Sequence, residues 1–392
     1  MKLTKLFIDF SKSEQSSGII LILCTFASIA LANSYFGNAY SDFWHIHIGF
    51  KIVGISLSYS IVHWINDGLM GIFFLLIGLE IERELYIGEL SDIKNATLPI
   101  VAAIGGMAMP ALLHFLLNQG TETSGGAAIP IATDIAFALG VLALLGDRVP
   151  VSLKIFLAAL AIVDDLGAIA VIALFYAGNL SLMHLALALG IFGGLLILNR
   201  LGVNRLPFYL IPGLFMWYFM LKSGVHATIT GVLIAFAIPF RSGDEKSPSY
   251  KLQHFLHKPV AFLIMPFFAL ANTGIALTDN WIEGLATSNS LGIFLGLIFG
   301  KPLGIVLFSV MAVKLGLSRL PDDMHWKHII GAGFLGGIGF TMSIFITLLA
   351  FADPEIVQSS KVSILLSSLV AGTVGFLILH RQTVTISNRK TS

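Results

Sequence analysis

Charge is what this sequence has least of. Only 11% of its 392 residues are Asp, Glu, Lys or Arg, against about 25% in an average soluble protein, while 56% are hydrophobic. So few charges cannot cover the surface of a water-soluble globule of this length, and that class is excluded. The formal net charge is only +1, so the basic excess that a phosphate-binding surface needs is missing and nucleic acid is not a partner. Cysteine is almost absent. Cys24 stands alone, which excludes an intramolecular disulfide, and its apolar run marks it as packing rather than chemistry. No small-x-small cleavage site closes the first apolar stretch cleanly, so that stretch is read as a signal anchor that stays.

What is present is a succession of apolar runs long enough to cross a bilayer. Hydropathy predicts twelve helices, over 18–33, 61–85, 95–117, 121–144, 150–177, 181–199, 205–221, 223–240, 254–276, 290–313, 326–351 and 358–380. A turn around Lys222–Gly224 divides the seventh from the eighth. Several links are very short, which makes neighbouring helices antiparallel. In lipid every backbone polar group must be paired within its own segment, so the fold class is an all-α membrane bundle. With the N-terminus inside, all of the Lys and Arg residues except Lys51, Lys222, Lys361 and the intramembrane Lys301 fall on the cytoplasmic side. That bias places both termini in the cytoplasm and favours an even helix count. Between the first two spans, 45–50 and 55–59 alternate apolar with polar or small residues. The pattern fits two short strands outside the membrane, a hairpin turning near Lys51–Gly54, or else an irregular loop. Such a hairpin alone is marginal in water and needs a partner.

The chemistry is carried by ionisable residues inside the spans. Asp164 and Asp165 lie midway along the apolar fifth span; each aspartate at a helix centre costs on the order of 3 kcal/mol on insertion scales. Adjacent residues differ by about 100° around a helix, so the two carboxylates face different neighbours. Asp134 follows Pro130 and Thr133 in the fourth span. Pro130 removes a backbone donor, so the helix is expected to break near Pro130–Thr133. A break exposes helix ends that demand counter-charge, which Asp134 supplies; Thr133 is expected to cap the second half-helix or to offer an oxygen. Lys301, well inside the tenth span, must snorkel, pair with a carboxylate or shed its proton. Glycines crowd the eleventh span at Gly331, Gly333, Gly336, Gly337 and Gly339, which signals close packing or a second broken helix. Two interrupted spans, one per half of the chain, point to a midplane binding site. His226, near an outer span end, is either a pH sensor or a packed, hydrogen-bonded histidine. Glu80, Glu82, Arg83 and Glu84 gather at the cytoplasmic end of the second span, with Glu80 and Glu84 on one face. Glu82 is expected at an exposed, solvated helix end.

In this order, Trp64-Ile65-Asn66-Asp67-Gly68, Gly78-Leu79-Glu80, Ala132-Thr133-Asp134-Ile135-Ala136-Phe137, Asp164-Asp165, Gly224-Val225-His226-Ala227-Thr228 and Gly336-Gly337-Ile338-Gly339-Phe340-Thr341-Met342-Ser343 resemble the NhaA family of bacterial sodium/proton antiporters. The resemblance implies a core of inverted repeats (95–177 and 290–380) with two interrupted helices crossing near the midplane. It also implies an interface domain (18–85 and 181–276) and a homodimer formed through the 45–59 hairpin. It makes Asp164 and Asp165 the Na+-binding and proton-carrying pair. Lys301 becomes the lysine that pairs with the first aspartate, and Asp134, with Thr133 beside it, the carboxylate at the helix crossing. Glu80, Arg83, Glu84 and Gln253 become the pH-sensing cluster, with His226 a further sensor. Gln253 stands where the family usually has glutamate, and Glu82 where a basic residue is common, so the pH set point is not carried over. The implied function is electrogenic, pH-regulated extrusion of Na+ or Li+ against entering H+ across the bacterial inner membrane, without an enzyme reaction or a cofactor. The physics is competition: an ionised pair attracts Na+, a protonated one does not. Two rivals remain, an intramembrane aspartyl protease using Asp134 with Asp165, and a cation channel.

Overall fold

The structure, a computed structural model, describes residues 2–52, 55–178, 180–276 and 281–390. Its elements are α1 (Lys2–Ala32), α2 (Gly37–His45), β1 (His47–Ile52), β2 (Ile55–Ser60), α3 (Ile61–Tyr86), α4 (Ile93–Asn118), a 3₁₀ segment (Glu122–Ile131), α5 (Ile135–Ala143), α6 (Val151–Phe175), α7 (Leu182–Arg200) and α8 (Pro207–Ser223). They continue as α9 (Ile229–Ala237), α10 (Pro248–Asn272), α11 (Trp281–Leu285), α12 (Ser288–Lys314), α13 (Trp326–Gly336), α14 (Phe340–Ala350) and α15 (Pro354–Lys390). Among the described residues, eight helices are long and apolar enough to cross a membrane, and two bent pairs raise that to ten. One pair is 16–32 with α2, bent by 114°; the other is α13 with α14, bent by 46°.

Helical structure occupies each of the twelve predicted segments, with several boundaries moved, the first helix already beginning at Lys2. The eighth segment is helical only over the nine residues of α9, because Gly224 adopts a left-handed φ of 84° that closes α8, and a turn through Val225–Thr228 follows. The ninth helix begins at Pro248, six residues ahead of the predicted start: the Ser247 hydroxyl accepts from the Tyr250 N–H at 3.1 Å and Pro248 suits the first turn. The last helix runs to Lys390. The strands pair antiparallel, His47 opposite Ser60 and Ile52 opposite Ile55. β1 starts at His47 rather than 45, because His45 ends α2, and it takes in Lys51 and Ile52 of the predicted turn, while Val53 and Gly54 lie outside the described residues.

The chain divides into two compact units. One comprises Met1–Ile19, Glu89–Ala168 and Leu277–Ser392. It holds α4, the 3₁₀ segment with α5, and most of α6, and also α12, α13 with α14, and α15. In each of these triplets the middle span is the interrupted one. The other unit, Ile20–Gly88 and Ile169–Ala276, holds the hairpin, α3 and α7 to α10.

Lipid is as apolar as leucine, so helices in a membrane associate through close packing rather than burial from water. The first unit shows this in α12, where Gly292, Gly296, Gly300 and Gly304 recur every fourth residue against α4. A Cβ on Gly296 would meet the Pro110 carbonyl and the Pro130 ring, and one on Gly300 would lie 2.8 Å from the Pro110 Cα. At Gly304 the backbones touch: a Cβ there would sit 2.0 Å from the Gly105 carbonyl oxygen, and one on Gly105 2.4 Å from that of Gly304. Gly304→Ala is therefore expected to push α4 and α12 apart, at a cost of about 1–3 kcal/mol from overpacking, seen as a lower unfolding temperature in detergent. An unchanged unfolding temperature would mean the helices separate freely.

Candidate ion-binding site

Both interruptions have local causes. Pro130 lacks the N–H that would continue the helix, and the chain after Ile131 runs extended through Ala132 and Asp134. Asp134 then starts α5, its Oδ1 accepting from the Phe137 N–H at 3.2 Å. The cap is thus Asp134 and not Thr133, because Thr133 turns its hydroxyl elsewhere. In the second broken span α13 ends at Gly336 and α14 begins at Phe340. Gly337 is required there by contact, since a Cβ would lie 2.4 Å from the Leu297 carbonyl oxygen.

The two interruptions meet. The Asp134 N–H donates to the Ile338 carbonyl at 2.7 Å. Asp134 Oδ2 accepts from the Thr341 N–H at 3.1 Å and also from the Thr341 hydroxyl. One carboxylate therefore serves the N-terminal ends of both α5 and α14, where unpaired N–H groups and the helix dipole favour negative charge. The Ser343 hydroxyl completes the join by donating to the Ile129 carbonyl at 2.7 Å.

Lys301 reaches this crossing from α12. It directly follows a π-helical turn, Gly296–Gly300, in which the Lys301 N–H donates to the carbonyl of Gly296, five residues back. Pro302 cannot donate to the preceding turn, and the wide turn absorbs that loss. The ammonium lies 2.9 Å from Asp164 Oδ2 and donates also to the Ile131 carbonyl at the end of the 3₁₀ segment. Lys301 and Asp164 are both fully buried, at 0% side-chain exposure, which removes snorkelling as an explanation. Asp165, 2% exposed, lies close enough to bear on the Lys301 charge. Thr133 Oγ1 lies 2.7 Å from Asp164 Oδ2 and 2.9 Å from the Gly336 carbonyl oxygen; with a single proton it donates to one of them at a time.

Asp164, Asp165, Thr133, Asp134 and Lys301 thus converge in one unit. Both Asp134 oxygens are engaged by helix-end donors, so Asp134 is not poised as one half of a protease dyad. Among the described residues no three His, Cys, Asp or Glu side chains gather in a metal-like group, so a cation here needs hydroxyl or carbonyl oxygens beside the carboxylates. Sequence reasoning missed Thr341 as a partner of Asp134. Its signal was the run Gly339-Phe340-Thr341, a second helix start after glycines, but the pairing depends on the crossing.

The other candidates lie in the second unit. Arg83 pairs with Glu84 at 2.9 Å. Glu80 and Gln253, each 9% exposed, are joined by a side-chain hydrogen bond. Glu82 corrects the expectation of a solvated helix end: it is 4% exposed, and its Oε2 accepts from the Ser249 hydroxyl at 3.0 Å. The early start of α10 places Ser249 there. His226 donates from Nε2 to the Tyr176 carbonyl at 2.7 Å and faces Asp67, which itself contacts His63 Nδ1 at 3.3 Å.

Fold and site together define a multi-pass membrane protein with an ion pair buried where two interrupted helices cross, the arrangement of secondary transporters. The family described as Na+/H+ antiporter 1 matches residues 8–379, and the chain belongs to it. It is similar to the Na+/H+ antiporter NhaA of Flavobacterium psychrophilum, 62% identical with 97% of each chain covered, and to that of Dechloromonas aromatica, 61% identical with 96% of each covered. The protein of that name in Yersinia enterocolitica is 49% identical, with 96% of this chain and 97% of that one covered. Among solved structures, a sodium proton antiporter of Methanocaldococcus jannaschii shares the fold at a TM-score of 0.51 and 15% identity, covering 97% of this chain and 99% of that one.

Proposed function

We propose that the protein exchanges Na+ or Li+ for H+ by alternating access, with Asp164 and Asp165 as the shared site. The observation that carries this reading is the fully buried Asp164–Lys301 pair beside Asp165 at the crossing of two interrupted helices. Among the described residues none donates to Asp164 Oδ1, so it offers a cation an oxygen, with Thr133 Oγ1 near the other carboxylate oxygen. Protons and Na+ displace one another because a protonated carboxylate has no charge to offer a cation. Asp134 and Thr341 hold the crossing, and Lys301 supplies the counter-charge when the site holds no cation. An imposed pH gradient across proteoliposomes is expected to drive Na+ uptake that reverses when the gradient is reversed. Na+ flux indifferent to the gradient would overturn exchange and favour the channel.

The unit containing α4 to α6 and α12 to α15 acts as the transport core in this reading, and the other as the interface domain. The cytoplasmic bias of the basic residues supports both termini in the cytoplasm of a bacterium, with the protein in the inner membrane and sodium and pH homeostasis as its task. The 45–59 hairpin is the homodimer contact, and deleting it should halve the mass of the purified particle.

Glu80, Arg83, Glu84, Gln253 and His226 form the pH-sensing set. Gln253→Glu adds a third carboxylate to the cluster of Glu84 and buried Glu80, and like charges oppose each other's ionisation. Activation on raising the pH should then begin later, by about 0.5–1 pH unit, and rise more steeply because more coupled groups titrate together. Activity–pH curves of variant and parent in everted vesicles decide this; superimposable curves, or a shift to lower pH, would remove Gln253 from the switch. Glu82, buried rather than solvated, is engaged by Ser249.

A further inference from the structure

The first turn of α14 is buried at the crossing, and its N–H groups have no helical partners of their own. Thr341 donates to Asp134 Oδ2. Phe340 donates at 3.1 Å to the Ser368 hydroxyl, which reaches in from α15. Ser368 is itself buried. The work of offsetting the positive end of α14 is thus divided between a carboxylate and a neutral hydroxyl on a different helix.

We infer that Ser368 is a positioning residue for the ion site. By holding the Phe340 N–H it leaves the Asp134 carboxylate to Thr341 and Phe137, and it lowers the positive potential beside the cation. The links run from Ser368 to Phe340, from the adjoining Thr341 to Asp134, and from Thr133, next to Asp134, to Asp164. Without the hydroxyl, Phe340 keeps a bare donor at a helix end that carries roughly half a positive charge. That donor draws on Asp134, whose Oδ2 already serves both the N–H and the hydroxyl of Thr341. Na+ and Li+ meet the same added positive potential, so binding of both weakens together. Ser368 acts on the site through Phe340, Thr341 and Asp134, so the maximal rate is spared. This rests on reading Asp164 and Asp165 as the exchange site.

The test is full-length protein in proteoliposomes, with initial rates measured against Na+ and Li+ concentration under a fixed pH gradient. Ser368→Ala is expected to raise KM for both ions about 3- to 10-fold with little change in maximal rate. Ser368→Thr, which keeps the oxygen, should restore the parent KM. Unfolding temperatures in detergent accompany both, since a merely structural serine would lower stability and leave KM alone. A folded Ser368→Ala with the parent KM overturns the inference, as does an equal KM rise in Ser368→Thr. Should Ser368→Ala not fold, Ser368→Cys, a weaker acceptor, is expected to show an intermediate KM, and the parent value there is equally fatal. A parent protein that exchanges no Na+ at all would overturn the exchange reading itself, and this inference with it.

Discussion

Asp165→Asn is expected to abolish pH-driven Na+ uptake while the protein remains inserted and folded. The amide keeps the size of the carboxylate and part of its hydrogen bonding, but it neither holds a cation by charge nor carries a proton. The loss should be on the order of a hundredfold or more, because each ~1.4 kcal/mol of lost cation affinity is a factor of ten. Asp165 is the informative position because Asp164 has a second duty. Asp164→Asn would strip the buried Lys301 of its counter-charge, so lost transport there would be mixed with lost stability. Near-normal exchange by a well-folded Asp165→Asn would remove the aspartate pair as the site.

Lys301→Ala is expected to destabilise the protein as well as stop exchange. The ammonium and the Asp164 carboxylate lie 2.9 Å apart with no exposure on either side. Removing one partner of such a pair leaves a buried charge uncompensated and costs about 3–5 kcal/mol. It also frees the Ile131 carbonyl at the end of the 3₁₀ segment, which Lys301 otherwise binds. Replacing both partners with apolar residues, Lys301→Met with Asp164→Leu, should recover most of the stability and none of the transport, because no buried charge is then left alone. Thermal unfolding in detergent reads the first effect and proteoliposome flux the second. An unfolding temperature unchanged in Lys301→Ala would mean that the pair contributes nothing to the fold.

Much of this architecture is legible along the chain because its causes are local. Apolar runs place the helices along the chain, though not always their ends, since lipid leaves the backbone no other way to pair its polar groups. Pro130 announces the first interruption by the donor it lacks, and the glycines from Gly331 to Gly339 mark the second. The errors have two sources, a local turn that hydropathy does not register and a neighbour from far along the chain. The eighth segment looks like a full span by hydropathy, yet Gly224 closes α8 and leaves α9 nine residues long. Glu82 reads as a charge at a solvated helix end, and only the early start of α10 at Pro248 brings Ser249 onto it.

The sequence by itself determined that this chain crosses a membrane many times. It also determined that Asp134, Asp164, Asp165 and Lys301 lie within the spans, because hydrophobicity and the cost of intramembrane charge are properties of single segments. Tertiary structure alone decided that Lys301 takes Asp164, that Asp134 caps two helices, and that Thr133 stands between Asp164 and Gly336. Those choices depend on where two interrupted helices cross, and the crossing depends on contacts such as Gly304 on Gly105 and Gly337 on Leu297, between residues far apart in the chain and close enough that a single methyl group would not fit.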